Sequence, residues 1–413
     1  MGLSQYLKRL IRNSKWLAGL PREVAVLTVI AFFVAIGFGI VIPAIPIFAR
    51  SFGVTAFAAS SVVSIFALMR FASSPLSGKL VNRFGERQVL ATGLIIVSIS
   101  SFLAGIADNF LALILWRGAG GLGSAMFTVS AFSLILRLAK PNQRGRAVSA
   151  FNGGFLIGGL AGPAVGGIVI SISLRAPFFV YAISLMFAAA IAIIMLKNAP
   201  LNDIEKEEIA ANKEGIFAFI KALKIQPYAA ALSVNLATGF ISFGLRSAIL
   251  PIFVVEGLLQ NPSWIAIGFL VTSITQAIFL SLAGRTTDDR GRKPAMVIGT
   301  ISILIAVLVL IILPTTLGFL ISMAIGGLAA AFMGAAPAAV VGDVIGNKKS
   351  GSLIAGFQMT TDLGAIAGPL IAGFLVDYAG FNWAFVSGAV VATFALILSL
   401  QMKETRESTK RVT

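Results

Sequence analysis

The sequence predicts an all-α membrane protein, with twelve transmembrane helices arranged as two pseudo-symmetric six-helix bundles. Three observations predict it. Of 413 residues, 58% are apolar or aromatic and only 12% are charged, whereas about a quarter of a soluble domain is charged. Long apolar runs recur along the whole chain. Three motifs return at one fixed spacing, 206 residues further on.

The apolar runs come first. A helix crosses the hydrocarbon core with roughly 20 apolar residues. Runs of that kind lie at about 24–47, 57–80, 88–107, 110–136, 147–172, 176–196, 228–255, 263–284, 294–313, 316–342, 352–376 and 382–402. Backbone groups in lipid must be satisfied within their own segment, so these runs are read as helices. The 42 glycines would weaken soluble helices, but small residues let membrane helices approach closely. The mean hydropathy, +0.96, agrees.

Charge placement sets the orientation. Of 32 Lys and Arg, twenty-seven fall in the N-terminal segment, the C-terminal tail and alternate loops; two, Arg50 and Arg175, fall in the opposite loops. Basic residues gather on the cytoplasmic side, which places both termini there in a cell membrane (plasma or bacterial inner). A net charge of +16 would suggest nucleic acid in a soluble protein. Spread over short loops, it matches anionic lipid headgroups instead, so no nucleic-acid partner is expected. Residues 3–18 read as a basic amphipathic helix on the inner surface; a disordered basic tail is the plainer reading. No cleavable signal pattern is seen.

Cys and His are both absent. That excludes disulfides, thiolate or imidazole metal sites, and His-based proton relays. There is no GxxxxGK[ST] loop for nucleotide drive. Neither a cofactor, a metal nor an enzymatic reaction is expected.

The repeat organises the chain. GKLVNRFGER at Gly78 matches GRTTDDRGRK at Gly284; GGLGSAMF at Gly120 matches GGLAAAFM at Gly326; AGPAVGG at Ala161 matches AGPLIAG at Ala367. The expected division is a cytoplasmic segment 1–22, a bundle 23–196, a charged linker 197–226, a second bundle 227–402 and a tail 403–413. Such duplication places a working site near the midplane, between the halves.

The chain resembles the major facilitator superfamily, and within it the twelve-helix drug:proton antiporters. The residues carrying the likeness are the loop after the second run (Gly78, Asn82, Arg83, Gly85, Glu86), LILWRGAGGLGSA around Arg117, GFLIGGLAGPAVGG in the fifth run and GFGIVIPAIP in the first. The resemblance covers the whole chain and implies a secondary transporter. It would export a small amphipathic compound or drug in exchange for protons by alternating access. The same fold also serves metabolite, sugar or organic-anion carriers, as symporters or uniporters. A non-transporting membrane receptor or lipid-handling protein is a reading of another class. The implied partners are a small-molecule substrate, protons and the lipid bilayer, with the chain working as a monomer.

The loop motif implies a cytoplasmic latch, built from the residues just named with Arg137, Gly284, Asp288, Arg292 and Asp343. One departure is informative. Asn82 stands where the family carries an acid, and Glu86 stands where it carries an Arg. Arg137 occupies the position of that Arg's acidic partner. Two ion pairs of opposite sense are therefore expected, Glu86–Arg137 and Arg292–Asp343. In the fifth run, Gly158, Gly162 and Gly166 form one stripe with a bend at Pro163; Gly368 and Pro369 match in the second half. The stripe is read as close packing, and the exporter polarity attached to this motif comes from the resemblance.

Ionisable residues inside the membrane are costly and usually functional. Arg70, Arg117, Arg246 and Asp362 qualify. Asp362 is the one deep carboxylate and so the leading proton carrier. Arg70 and Asp362 lie at similar depth from the inner surface, at about 1.5 Å per residue, which makes a contact between them the hypothesis. The alternative is that Asp362 is paired within its own half, to Arg246, or caps local polar groups. Arg117 is read as a proton-relay or substrate contact, or as an Arg satisfied by backbone carbonyls. The superfamily lines its cavity with helices 1, 4, 7 and 10. Candidates on them are Phe38, Met126, Phe127, Asn235, Phe243, Arg246 and Phe332, whose aromatic and Met side chains suit varied apolar ligands. Each is otherwise an ordinary packing or lipid-facing residue.

Overall fold

The computed structural model describes residues 19–139, 143–196, 221–345 and 351–406. The expected surface helix over 3–18 and most of the linker 197–226 lie outside the described residues. Within them, twelve helices are long and apolar enough to cross a membrane. We label them α1 Arg22–Arg50, α2 Ala56–Phe84, α3 Glu86–Gly105, α4 Phe110–Leu138, α5 Arg144–Ile172, α6 Ala176–Met195, α7 Gln226–Gly257, α8 Ser263–Arg290, α9 Arg292–Ile312, α10 Thr316–Ile345, α11 Gly351–Ala379 and α12 Phe381–Gln401.

The helices gather into two compact units. One holds residues 1–44 and 65–205, the other 45–64 and 206–413. The second unit differs from the expected division by including 45–64, the end of α1 and the start of α2. Side chains explain this. Arg50 donates from Nε and Nη2 to Glu256, both at 2.6 Å. Asp377 accepts from the backbone N–H groups of Ala56 and Phe57, each at 2.8 Å. Ser64 donates to the Ile366 carbonyl at 2.8 Å. Asp377 thus supplies acceptors to the free N–H groups at the start of α2, where a negative charge is favourable.

Inside each unit the same helix pairs meet. In the first, α1 runs along α5, and α3 packs on α4 and α6; in the second, α7 runs along α11, and α9 packs on α10 and α12. The α1–α5 seam shows why glycine is required. A Cβ built at Gly158, Gly162 or Gly166 would lie 2.6 Å from the carbonyl oxygen of Phe32, Ile36 or Ile40 respectively. Two helices with a four-residue register press backbone to backbone, as small residues allow. Gly368 repeats this against the Phe240 carbonyl, also at 2.6 Å. Pro163 in α5 and Pro369 in α11 sit within their helices.

Gly85 and Gly291 hold the turns ahead of α3 and α9, with φ of 85° and 120°. A side chain there would be strained, which is why both copies of the loop motif carry glycine.

Candidate functional site

The first unit buries one cation, Arg117, among aromatic side chains. It sits on α4, which begins at an Asn109 cap whose side chain accepts from the Ala112 N–H at 2.8 Å. Arg117 is 3% exposed. Its guanidinium carbon lies 4.5 Å from the centroid of the Phe66 ring on α2. Its Nε is buried with no hydrogen-bond partner among the described residues. The Phe66 ring lies 5.8 Å from Phe38 of α1, and Phe38 lies 6.2 Å from Tyr181 of α6. A buried cation is therefore held against an aromatic face, a contact that strengthens when water is excluded.

Arg117 and Phe38 are among the residues the sequence singles out; Phe66 and Tyr181, which the structure sets beside them, are not. Tyr181 carried a usable signal: it is one of four tyrosines in the chain, and its polar tip lies in an otherwise apolar run. Phe66 carried none, since it is one of 32 phenylalanines.

The other candidates divide. Met126 and Phe332 occupy corresponding positions and each backs onto a neighbouring glycine. A Cβ at Gly93 of α3 would lie 2.9 Å from that of Met126, and one at Gly299 of α9 would lie 3.1 Å from that of Phe332. Phe127 is buried and stacks near Phe151 and Phe155, at 6.4 and 6.2 Å. Phe332 and Phe127 are thus core residues of their units. Asn235 of α7 donates its amide to the Phe357 carbonyl at 2.5 Å and reaches Thr360 Oγ1 at 3.4 Å, tying α7 to α11. Phe243 is half-buried on α7. Arg70 lies midway along α2, and Asp362 lies near the middle of α11; both are half-buried.

The loop motifs carry the two ion pairs expected from the exchanged charges. Arg137 Nη1 lies 2.8 and 2.9 Å from the two Glu86 oxygens, and Ser133 donates to the same carboxylate at 3.1 Å. Arg292 Nε lies 3.0 Å from Asp343, and its Nη1 lies 3.1 Å from Asp288. Both principal pairs span 51 residues with reversed polarity. Asn82 cannot supply the charge that Asp288 does. Gly78 and Gly284 have nothing within 4 Å of a built Cβ, so neither is needed for close approach. Arg83 stacks over the adjacent Phe84 ring at 5.2 Å.

The second-half motif has a further strap. Glu404, just beyond α12, accepts from the N–H groups of Arg292 at 2.8 Å and Lys293 at 3.0 Å, at the start of α9. Thr405 donates to Asp343 at 2.8 Å, and Arg406 donates to the Asp289 carbonyl. Burial pushes the Glu404 carboxyl up. The backbone N–H groups of Arg406, Arg292, Lys293 and Thr405 outweigh it and hold the group below its ordinary value of 4.5.

Two like-built units of membrane-crossing helices, glycine-packed and each carrying an arginine within its helices, define a duplicated polytopic membrane protein of the transporter class. The family model of the Major Facilitator Superfamily matches residues 27–272 and 236–412, and the chain belongs to that superfamily. Multidrug resistance protein 2 of Bacillus subtilis (strain 168) is 25% identical over 378 residues, covering 90% of this chain and 93% of the relative. Multidrug resistance protein 1 of the same organism is 26% identical over 388 residues, covering 90% and 94%. Quinolone resistance protein NorA of Staphylococcus aureus is 31% identical over 183 residues, 43% of this chain and 46% of NorA. A solved D-xylose-proton symporter aligns with a TM-score of 0.71 at 16% identity, over 93% of this chain and 98% of that one. A POT family transporter solved with 5-aminolevulinic acid aligns with a TM-score of 0.74 at 13% identity, over 93% and 96%. These structures share the fold. The protein is a multi-pass membrane transporter of this superfamily.

Proposed function

We propose that the protein exports small amphipathic compounds in exchange for protons by alternating access. The observation that carries this is the likeness to two multidrug resistance proteins over nine-tenths of the chain. The cation of Arg117, held against the Phe66 ring, is compatible with neutral or anionic amphipathic substrates. Two cations within the membrane-crossing helices of the first unit, Arg70 on α2 and Arg117 on α4, argue against purely cationic substrates.

Asp362 is the proton carrier in this reading, with Arg70 as the cation that opposes it. An Asp in water titrates near 3.9; removal from water raises that value and a nearby cation lowers it. Such a group changes protonation when its surroundings rearrange. Glu86–Arg137 and Arg292–Asp343 act as cytoplasmic latches. The chain lies in the cell membrane with both termini cytoplasmic and works as a monomer.

The test is loss of a fluorescent amphiphile from proteoliposomes driven by an imposed pH gradient. Wild-type protein is expected to move it against its gradient, and Asp362→Asn is expected to retain only downhill movement. Unchanged gradient dependence in Asp362→Asn removes Asp362 from the coupling. Gradient-independent movement by the wild type favours a uniporter and overturns the exchange.

A further inference from the structure

Helix α7 is not an ordinary α-helix throughout. Residues Phe240–Ile249 form a π-helical stretch. The Leu250 N–H bonds to the Leu245 carbonyl five residues back, and Ser247 Oγ donates to the Ser242 carbonyl at 2.7 Å, also five back. Pro251 follows directly. Its ring lacks an N–H and would clash with the carbonyl four residues earlier, so the widened turn relieves a conflict written into the sequence. π-Helical turns recur at functional sites.

The stretch carries Arg246 to the wall of a cavity inside the second unit, between α7, α8, α9 and α10. The cavity holds about 40 Å³. Leu245, Val307, Leu310 and Met323 form apolar walls, and Thr272 and Ser322 add hydroxyls. Those two hydroxyls are already used: Thr272 donates to the Met323 carbonyl at 2.9 Å and Ser322 to the Ala306 carbonyl at 2.7 Å. Among the described residues no carboxylate lines the cavity. Arg246 Nε is buried with no acceptor among the described residues. Arg246 as a whole is half-buried, and no acidic side chain among the described residues stands on this wall to balance its guanidinium. A volume of this size accepts a few waters or one compact anion, since a single water needs roughly 10–15 Å³.

We propose that Arg246 and this cavity form a single-anion site for a compact monoanion, either a halide such as chloride or the carboxylate of a small organic acid. This assigns Arg246 a ligand of its own, apart from the general substrate cavity. It does not rest on the transport reading, because binding is read without transport.

The test is thermal unfolding of the purified full-length protein in detergent, with sodium chloride or sodium formate replacing sodium gluconate at constant ionic strength. The expected result is a saturable rise of roughly 2–4 °C in the wild type with chloride, formate or both. The rise should vanish in Arg246→Met and persist, weaker, in Arg246→Lys. In gluconate alone Arg246→Met should unfold no lower than wild type, because it removes a half-buried charge that no acid on the cavity wall compensates. Saturation by chloride alone supports an inorganic ion, and preference for formate supports an organic carboxylate. A wild type that unfolds alike in all three salts overturns the site, and so does an equal rise in Arg246→Met. The wild-type titration decides the matter even if a variant does not fold.

Discussion

Arg50 and Glu256 occupy the same position in the two repeats, 206 residues apart, and bind one another through two contacts of 2.6 Å. Duplication normally gives matching positions matching residues. Here the two copies carry opposite charges and are each other's partner. Arg50 also donates to the Val54 carbonyl, so one guanidinium holds the end of α1, the turn after it and the end of α7. The basic-loop asymmetry puts this pair on the face opposite the loop motifs.

The pair is partly exposed, with side chains 30% and 37% accessible, so its effect on stability is small, about 0–1 kcal/mol. Its effect on transport is expected to be larger. We predict that Glu256→Gln slows export several-fold, and that the exchange Arg50→Glu with Glu256→Arg recovers at least half of the loss. Vesicle efflux rates for the single and double variants check this. A double variant no better than the worse single one counts against a pairing role.

The Glu86–Arg137 pair is more deeply placed, since the Glu86 side chain is only 6% accessible. Removing one partner leaves the other charge poorly compensated. Arg137→Leu is expected to lower stability by about 1–3 kcal/mol, and Glu86→Gln by less, because Ser133 still meets the amide. A double-mutant cycle in thermal unfolding should show coupling of about 1 kcal/mol. Additive losses would mean the contact is incidental.

The α1–α5 seam predicts a sharp contrast between neighbours. Gly162 and Gly159 are three residues apart on one helix, yet only Gly162 meets a facing backbone; Gly159 has nothing within 4 Å. Gly162→Val is expected to cost about 1–3 kcal/mol through overpacking, with reduced yield of folded protein. Gly159→Ala should unfold within about 0.5 kcal/mol of wild type. Melting curves in detergent compare the two.

Glu404 gives the pH prediction. Its carboxyl is held below the ordinary 4.5 by backbone donors at the start of α9. A group depressed in the folded protein stabilises above its unfolded value, and that contribution is lost as pH falls through the folded value. The tail strap should therefore hold near neutral pH and loosen progressively as pH falls below 4.5. Limited proteolysis of the tail across pH 3–7 is expected to show faster cleavage at the acid end. Glu404→Gln should be cleaved faster even at neutral pH.

The helices, their number, the orientation implied by the basic loops and the twofold repeat are all written in local composition and spacing. Each needs only a window of residues or a comparison at a fixed offset. The pairs Glu86–Arg137 and Arg292–Asp343 were legible for the same reason, because the exchanged charges fall at corresponding positions. The aromatic surround of Arg117 was not legible. These helices are apolar nearly all round, so periodicity does not say which face turns inward. Met126 and Phe332 read as cavity candidates by type, while the structure sets each against a glycine on a neighbouring helix. Asn235 likewise spends its amide on α11.

By itself, then, the sequence determined which segments cross the bilayer and that the chain is one six-helix plan used twice, because the cost of exposing backbone and charge to lipid acts residue by residue. Tertiary structure alone decided that residues 45–64 pack with the second unit, that Glu404 returns to cap α9, and that Arg246 ends beside a cavity without an acid. Those outcomes depend on the rotation of each helix about its axis and on contacts between residues hundreds of positions apart, which no local pattern encodes.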